Sequence, residues 1–241
     1  GGDKVDTSFY TAVRGAMTQQ THMDILSNNV ANLNTNGYRT KNSSFLDLMY
    51  YNIRGTEEDM GDLRAGTGAV VERTESDFTG GVLIETGGAY DYAIQGNGFF
   101  MVRSPIDNSI VYTRDGSFAL SERADGFYLV DAEGWLVLDA QQNPIRYDGG
   151  ELSGDPAIFD FVTTNGMLST GSNRFIPTEK NGNPFLAGGE SYLVKGSLES
   201  SNVDLAQEMS KVIISQRAYS YMLKMVQTSD EVEQTINGLR R

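Results

Sequence analysis

Leu205-Ala206-Gln207-Glu208-Met209-Ser210-Lys211-Val212-Ile213-Ile214-Ser215-Gln216-Arg217-Ala218-Tyr219 opens a stretch that meets no glycine or proline before Gly238. Within it Leu205, Met209, Val212, Gln216, Tyr219, Leu223 and Val226 recur at alternating spacings of four and three, the seam of a coiled coil. Asp204, with Gln207 three residues on, suits the cap that starts a helix. A helix from there to Asn237 is about 50 Å long at about 1.5 Å per residue. After Val226 the rhythm slips to Ser229, Val232, Ile236 and Leu239, which rotates the seam. A second apolar row, Ile213, Met222 and Met225, widens the stripe, so the helix is expected to touch several neighbours.

The other end of the chain repeats the pattern. Phe9, Val13, Ala16, Gln20 and Met23 step by four and three, and Leu26, Val30 and Leu33 extend the row. The spacing predicts a helix from near Asp6–Ser8 to about Leu33 whose partner is the C-terminal helix. Each seam holds one glutamine, Gln20 and Gln216, either fixing register or lying on a partly wet face. The segment that follows is rich in asparagine. Asn28, Asn29 and Asn32 carry amides that donate and accept, which suits contacts between packed helices. Asn34 and Asn36 suit turns, and Gly37 suits a left-handed residue closing the helix.

Between the helices the composition changes. Residues 46–202 hold ten Lys/Arg against twenty-four Asp/Glu, a net of −14, whereas 7–45 sum to +2 and 203–241 to zero. Such acidity argues against nucleic acid or an anionic membrane surface as partners, since both require clustered lysine and arginine. Twenty-two of 27 glycines and all five prolines also lie in 46–202. The chain has no cysteine, which excludes disulfides and thiolate metal sites. It shows neither an apolar run near 18 residues nor a cleavable signal pattern at its start, so no membrane insertion is expected.

Residues 50–68 read as an extended, glycine-containing connector. From Ala69 onward, short runs rich in β-branched and aromatic residues predict strands: Val70–Phe78, Val82–Glu85, Tyr90–Gln95, Phe99–Arg103, Ile110–Thr113, Ser117–Leu120, Phe127–Asp131, Trp135–Asp139, Ile158–Thr163, Arg174–Thr178 and Tyr192–Leu198. Glycine pairs punctuate them, and strands this short at such spacing suggest a sandwich or an irregular barrel. The expected fold class is α+β. Terminal helices at 5–45 and 199–241 pair as a coiled-coil-like core segment, with a connector at 46–68 and an all-β domain at 69–198.

Three sets of motifs carry a resemblance. Gln19-Gln20-Thr21, Met23-Asp24-Ile25-Leu26-Ser27-Asn28-Asn29-Val30-Ala31-Asn32 and Thr35-Asn36-Gly37-Tyr38 resemble the N-terminal motif of bacterial flagellar rod and hook proteins, and Phe45–Tyr50 resembles the segment after it. Ser201-Asn202-Val203-Asp204, Ser215-Gln216-Arg217-Ala218-Tyr219 and Gln227-Thr228-Ser229-Asp230-Glu231 resemble the C-terminal motif of the same family. Asp91–Phe100 and Tyr112–Phe118 are similar to its central domain, while 140–190 match weakly. Within the family Gly61–Gly81 resembles the distal rod members, and the length leaves little room for the further domain of hook subunits. The resemblance implies a structural subunit of the flagellar basal body that polymerises with itself and with other rod and hook proteins. It also implies a place in the periplasm or cell-wall layer, reached without a cleaved signal peptide, and a torque-transmitting tube.

No catalytic constellation can be assembled, so neither an enzyme nor a cofactor is expected. The single histidine, His22, supports neither a histidine metal site nor a Ser/Cys–His arrangement. Gly66-Thr67-Gly68 and Gly96-Asn97-Gly98 lack the third glycine and following helix of a phosphate cradle. Asp131, Glu133 and Asp139 around Gly134 resemble an incomplete calcium loop or a solvated hairpin. A glycan-binding β module using Tyr90, Tyr92 and Trp135 is the competing function, but it leaves two terminal seams without a purpose. The expected interface for assembly is therefore Phe9, Val13, Ala16, Gln20, Met23, Leu26, Asn28, Asn29 and Asn32, with Leu205, Met209, Val212, Gln216, Tyr219, Leu223 and Val226.

Overall fold

The computed structural model describes residues 2–47, 50–52, 64–66, 68–189 and 191–239, so most of the expected connector lies outside the described residues. The chain forms two compact units. One consists of residues 1–31, 41–75 and 204–241, the other of 32–40 and 76–203.

The first unit is built on two long helices, α1 (Gly2–Ala31) and α2 (Leu205–Leu239). Asp204 caps α2 as its sequence suggests: one carboxylate oxygen accepts the amides of Ala206 and Gln207 at 2.9 and 3.1 Å. Two strands, Lys41–Asp47 and Ala69–Ser76, pair with each other in the same unit. The Thr18 hydroxyl donates to the carbonyl of Ala69 at 2.7 Å, which ties α1 to the second of these strands. A short ladder, Tyr50–Asn52 on Arg64–Gly66, brackets residues 53–63.

The second unit is all β. An eleven-stranded sheet runs along the path Glu151–Leu152, Arg146–Asp148, Gly126–Val130, Leu136–Val137, Phe99–Arg103, Ile110–Thr113, Arg174–Ile176, Leu168–Gly171, with three further strands joined to it. Among the described residues every ladder in it is antiparallel. Phe99–Arg103 sits between two apolar clusters because its side chains alternate: Phe100 and Val102 enter one cluster, Phe99 and Met101 the other. That explains its unbroken apolar run, since a strand covered on both faces has no polar side. The run Tyr192–Leu198, expected as one strand, is two. Gly196, with φ of 68°, breaks it, so Tyr192–Lys195 pairs with Tyr92–Gln95 and Ser197–Glu199 with Leu83–Glu85.

Gly37 is left-handed as expected, with φ of 64°. It does not cap α1, which ends six residues earlier at Ala31. Its role is close approach: a Cβ there would lie 2.6 Å from the carbonyl carbon of Arg114.

Candidate assembly interface

The geometry of the helix pair follows from two contacts. The Asn29 amide on α1 donates to the Glu208 carboxylate on α2 at 2.9 Å, and Gly15 on α1 faces Met222 on α2. Moving fourteen residues back along α1 moves fourteen residues forward along α2, so the helices run antiparallel. Gly15 leaves the space that Met222 fills: an added Cβ would lie 3.0 Å from its sulfur.

Asn29 is fully buried. Besides Glu208, its amide nitrogen donates to the carbonyl of Lys41, and its oxygen accepts the Lys41 amide, each at 2.9 Å. Glu208 is also buried, and its other oxygen takes the Lys211 ammonium at 2.6 Å. One asparagine thus joins α1, the strand Lys41–Asp47 and α2. Beside it the His22 imidazole shares a 2.7 Å hydrogen bond with Ser43 and stands edge-on to Phe45. Burial, and then the Lys211 charge, push the His22 pKa below its ordinary value, against a smaller opposing pull from Glu208.

The predicted seam residues divide between the inside and the outside of this pair. On α1, Ala16 and Leu26 are buried, Val13 and Met23 half-buried, and Phe9, Gln20 and Asn28 exposed. Asn29 makes the interhelix bond expected of the asparagines, whereas the Asn32 side chain accepts the Thr35 hydroxyl in the turn that follows. On α2 the expected seam is displaced. Val212, Tyr219 and Val226 are half-buried, but Leu205, Met209, Gln216 and Leu223 are exposed. The buried positions are Glu208 and Ser215, which with half-buried Met222 and Ser229 form a parallel row with a seven-residue repeat. α2 therefore turns a small and polar row inward, because that row holds the ligand of Asn29 and the knob for Gly15. Both seam glutamines are on wet faces, so neither sets the register within the chain.

The second unit contains a buried charge cluster that sequence reading missed. Glu199 takes Arg39 at 2.7 Å and Arg114 at 3.0 Å, all three side chains being buried. Glu199 also accepts the Gly81 amide through its carboxylate and the Gly37 amide through its carbonyl. Arg114 also donates to the carbonyls of Ile94 and Gly96. Burial, reinforced by Arg39 and partly offset by Glu199, pulls the Arg114 pKa down to about 10. The only sequence signal was three charged residues set among glycine and aromatic residues, which does not identify partners 85 and 160 positions apart.

Two alternative readings of the sequence find no support. Asp131 and Glu133 do not form a cation loop: both pair with Arg174, whose guanidinium lies 4.3 Å from the Trp135 ring centre. The aromatics offered for a glycan surface are not free either. Tyr92 is a core residue, and Tyr90 and Trp135 pack against that core.

Comparison with known proteins supplies the rest. Residues 9–39 match the family described as "Flagella basal body rod protein", and residues 194–239 match "Flagellar basal body rod FlgEFG protein C-terminal". The chain is 34% identical to the flagellar basal-body rod protein FlgG of Buchnera aphidicola subsp. Acyrthosiphon pisum, covering 96% of this chain and 99% of that protein. It is 32% identical to FlgG of Borreliella burgdorferi, over 97% and 98%. A likeness to flagellar basal-body rod protein FlgF of Mesorhizobium japonicum is lower, 28% over 96% and 98%. With both motif regions matched and relatives aligned end to end, the chain belongs to the flagellar basal-body rod protein family and is most like its distal member, FlgG.

Proposed function

We infer that the chain is a structural subunit of the rod in the flagellar basal body, joined to further copies of itself and to other rod and hook proteins through the faces of α1 and α2 that the pair leaves open. The observation that carries this reading is the exposure of α2. Leu205, Met209, Ile213, Ile214, Tyr221, Leu223 and Met225 are between 42% and 67% exposed. α1 covers one side of α2, and apolar side chains continue around both flanks. Exposed apolar surface of this extent on a helix marks an association surface, and closely packed helices form a stiff element suited to transmitting torque. The family supplies a structural part rather than a catalyst.

Leu223→Asp tests the reading. The side chain is exposed in the free subunit, so folding is expected to be unchanged. In a packed interface the new charge is desolvated without a partner, at a cost of several kcal/mol per contact. The variant is expected to remain monomeric by sedimentation and to fail to restore motility in cells lacking the wild-type subunit. Val162→Asp, on an exposed residue of the β unit, is the matched control and should assemble. Normal polymerisation of Leu223→Asp would refute the helix-face reading.

A further inference from the structure

The open faces of the helix pair carry thioethers. Met17 on α1 is 64% exposed, and Met209 and Met225 on α2 are 47% and 56% exposed, whereas Met101 and Met167 are buried in the β unit. Met209 and Met225 are sixteen residues apart, which at about 100° per residue places them about 160° apart around α2. Both flanks of the helix, and the outer side of α1, therefore each present an exposed methionine. No other side chain type on these faces is both apolar and readily oxidised, and the chain has no cysteine to react first.

We propose that Met17, Met209 and Met225 form a peroxide-sensitive set whose oxidation blocks assembly of the free subunit without unfolding it. In each event the thioether sulfur attacks one oxygen of the peroxide. The O–O bond breaks, a sulfoxide forms, and the second oxygen leaves as water: sulfur is oxidised and peroxide reduced. A sulfoxide is polar and a strong acceptor, so it is tolerated on a solvated face and opposed wherever that face must be buried. The fold does not depend on these three sulfurs being apolar, because they are largely solvated in the subunit. Burial against a neighbouring copy would also shield them, so assembled protein should oxidise more slowly than free subunits. The inference rests on the helix faces being the assembly surface.

The experiment treats full-length subunit with hydrogen peroxide, locates the added oxygens by peptide mass spectrometry, and follows polymerisation by light scattering and electron microscopy. Met17, Met209 and Met225 should gain oxygen before Met101 and Met167. Far-ultraviolet circular dichroism and Trp135 fluorescence should be unchanged, polymerisation should be lost, and methionine sulfoxide reductase should restore it. The triple variant Met17→Leu, Met209→Leu, Met225→Leu keeps the faces apolar at similar volume and should assemble after the same treatment. Oxidised wild type that polymerises normally, or a triple variant as sensitive as wild type, overturns the proposal while leaving the assembly surface intact. Normal polymerisation of Leu223→Asp instead overturns the surface and the proposal with it.

Discussion

Replacing Asn29 by alanine removes at least three hydrogen bonds at a position with no solvent access. The bond to the Glu208 carboxylate, as a charged one, is worth about 2 kcal/mol, and the two to the Lys41 backbone about 1 kcal/mol each, so the expected loss is about 4 kcal/mol. The loss falls on the helical unit, and two spectroscopic probes report on the two units separately. Both long helices belong to the first unit, while the single tryptophan, Trp135, lies in the second. In a urea titration the circular dichroism transition should move to lower denaturant by the equivalent of about 4 kcal/mol, with Trp135 fluorescence as the internal reference. Asn29→Asp sharpens the test: it keeps the shape but sets a second carboxylate against Glu208. It should be at least as damaging at neutral pH and should recover in acid as carboxylates protonate. A shift below about 1 kcal/mol for Asn29→Ala would refute the view that this buried amide holds α1, α2 and the strand Lys41–Asp47 together.

Other substitutions probe the remaining contacts. Glu199→Gln removes the buried ion-pair partner that Arg39 and Arg114 share and should cost the β unit about 3–5 kcal/mol, read from the Trp135 transition. Gly15→Leu forces a side chain into the space of Met222 and should cost about 1–3 kcal/mol by circular dichroism, with partial recovery on adding Met222→Ala. His22 has a lower pKa folded than unfolded, so the unfolded chain binds its proton first. Its contribution is complete above pH 6.5 and is lost as pH falls from there through the folded value. Thermal melts of His22→Gln should therefore decline less than wild type between neutral pH and pH 5.

Both helices were legible because four-and-three spacing without glycine or proline admits few other structures. Which face of α2 meets α1 was not. Apolar residues occupy several rows of that helix, and hydrophobicity points to the rows with most of it, Leu205, Met209 and Leu223, which are exposed. The inner row is marked instead by Glu208, whose burial makes sense only once Asn29 is opposite, and by Ser215 seven residues on. In the β unit, Phe99–Arg103 and Ile110–Thr113 were found to the residue, since covered strands declare themselves by unbroken apolar runs. Lys41–Asp47, Glu151–Leu152 and Leu168–Gly171 were missed, as their order comes from a paired neighbour rather than from their own side chains. The Asn29 contact was anticipated in kind, through the donor and acceptor capacity of its amide, but not its acidic partner.

The position of Glu199 in the chain has a kinetic consequence. Its carboxylate and carbonyl close on Gly37, Arg39, Gly81 and Arg114, yet it is translated only after about four-fifths of the 241 residues. Until it emerges, Arg39 and Arg114 lack the buried acid they share, and contacts this distant in sequence must first meet the entropy of closing a long loop. The β unit is thus expected to close late, when the segment just before α2 delivers the acid that both arginines share.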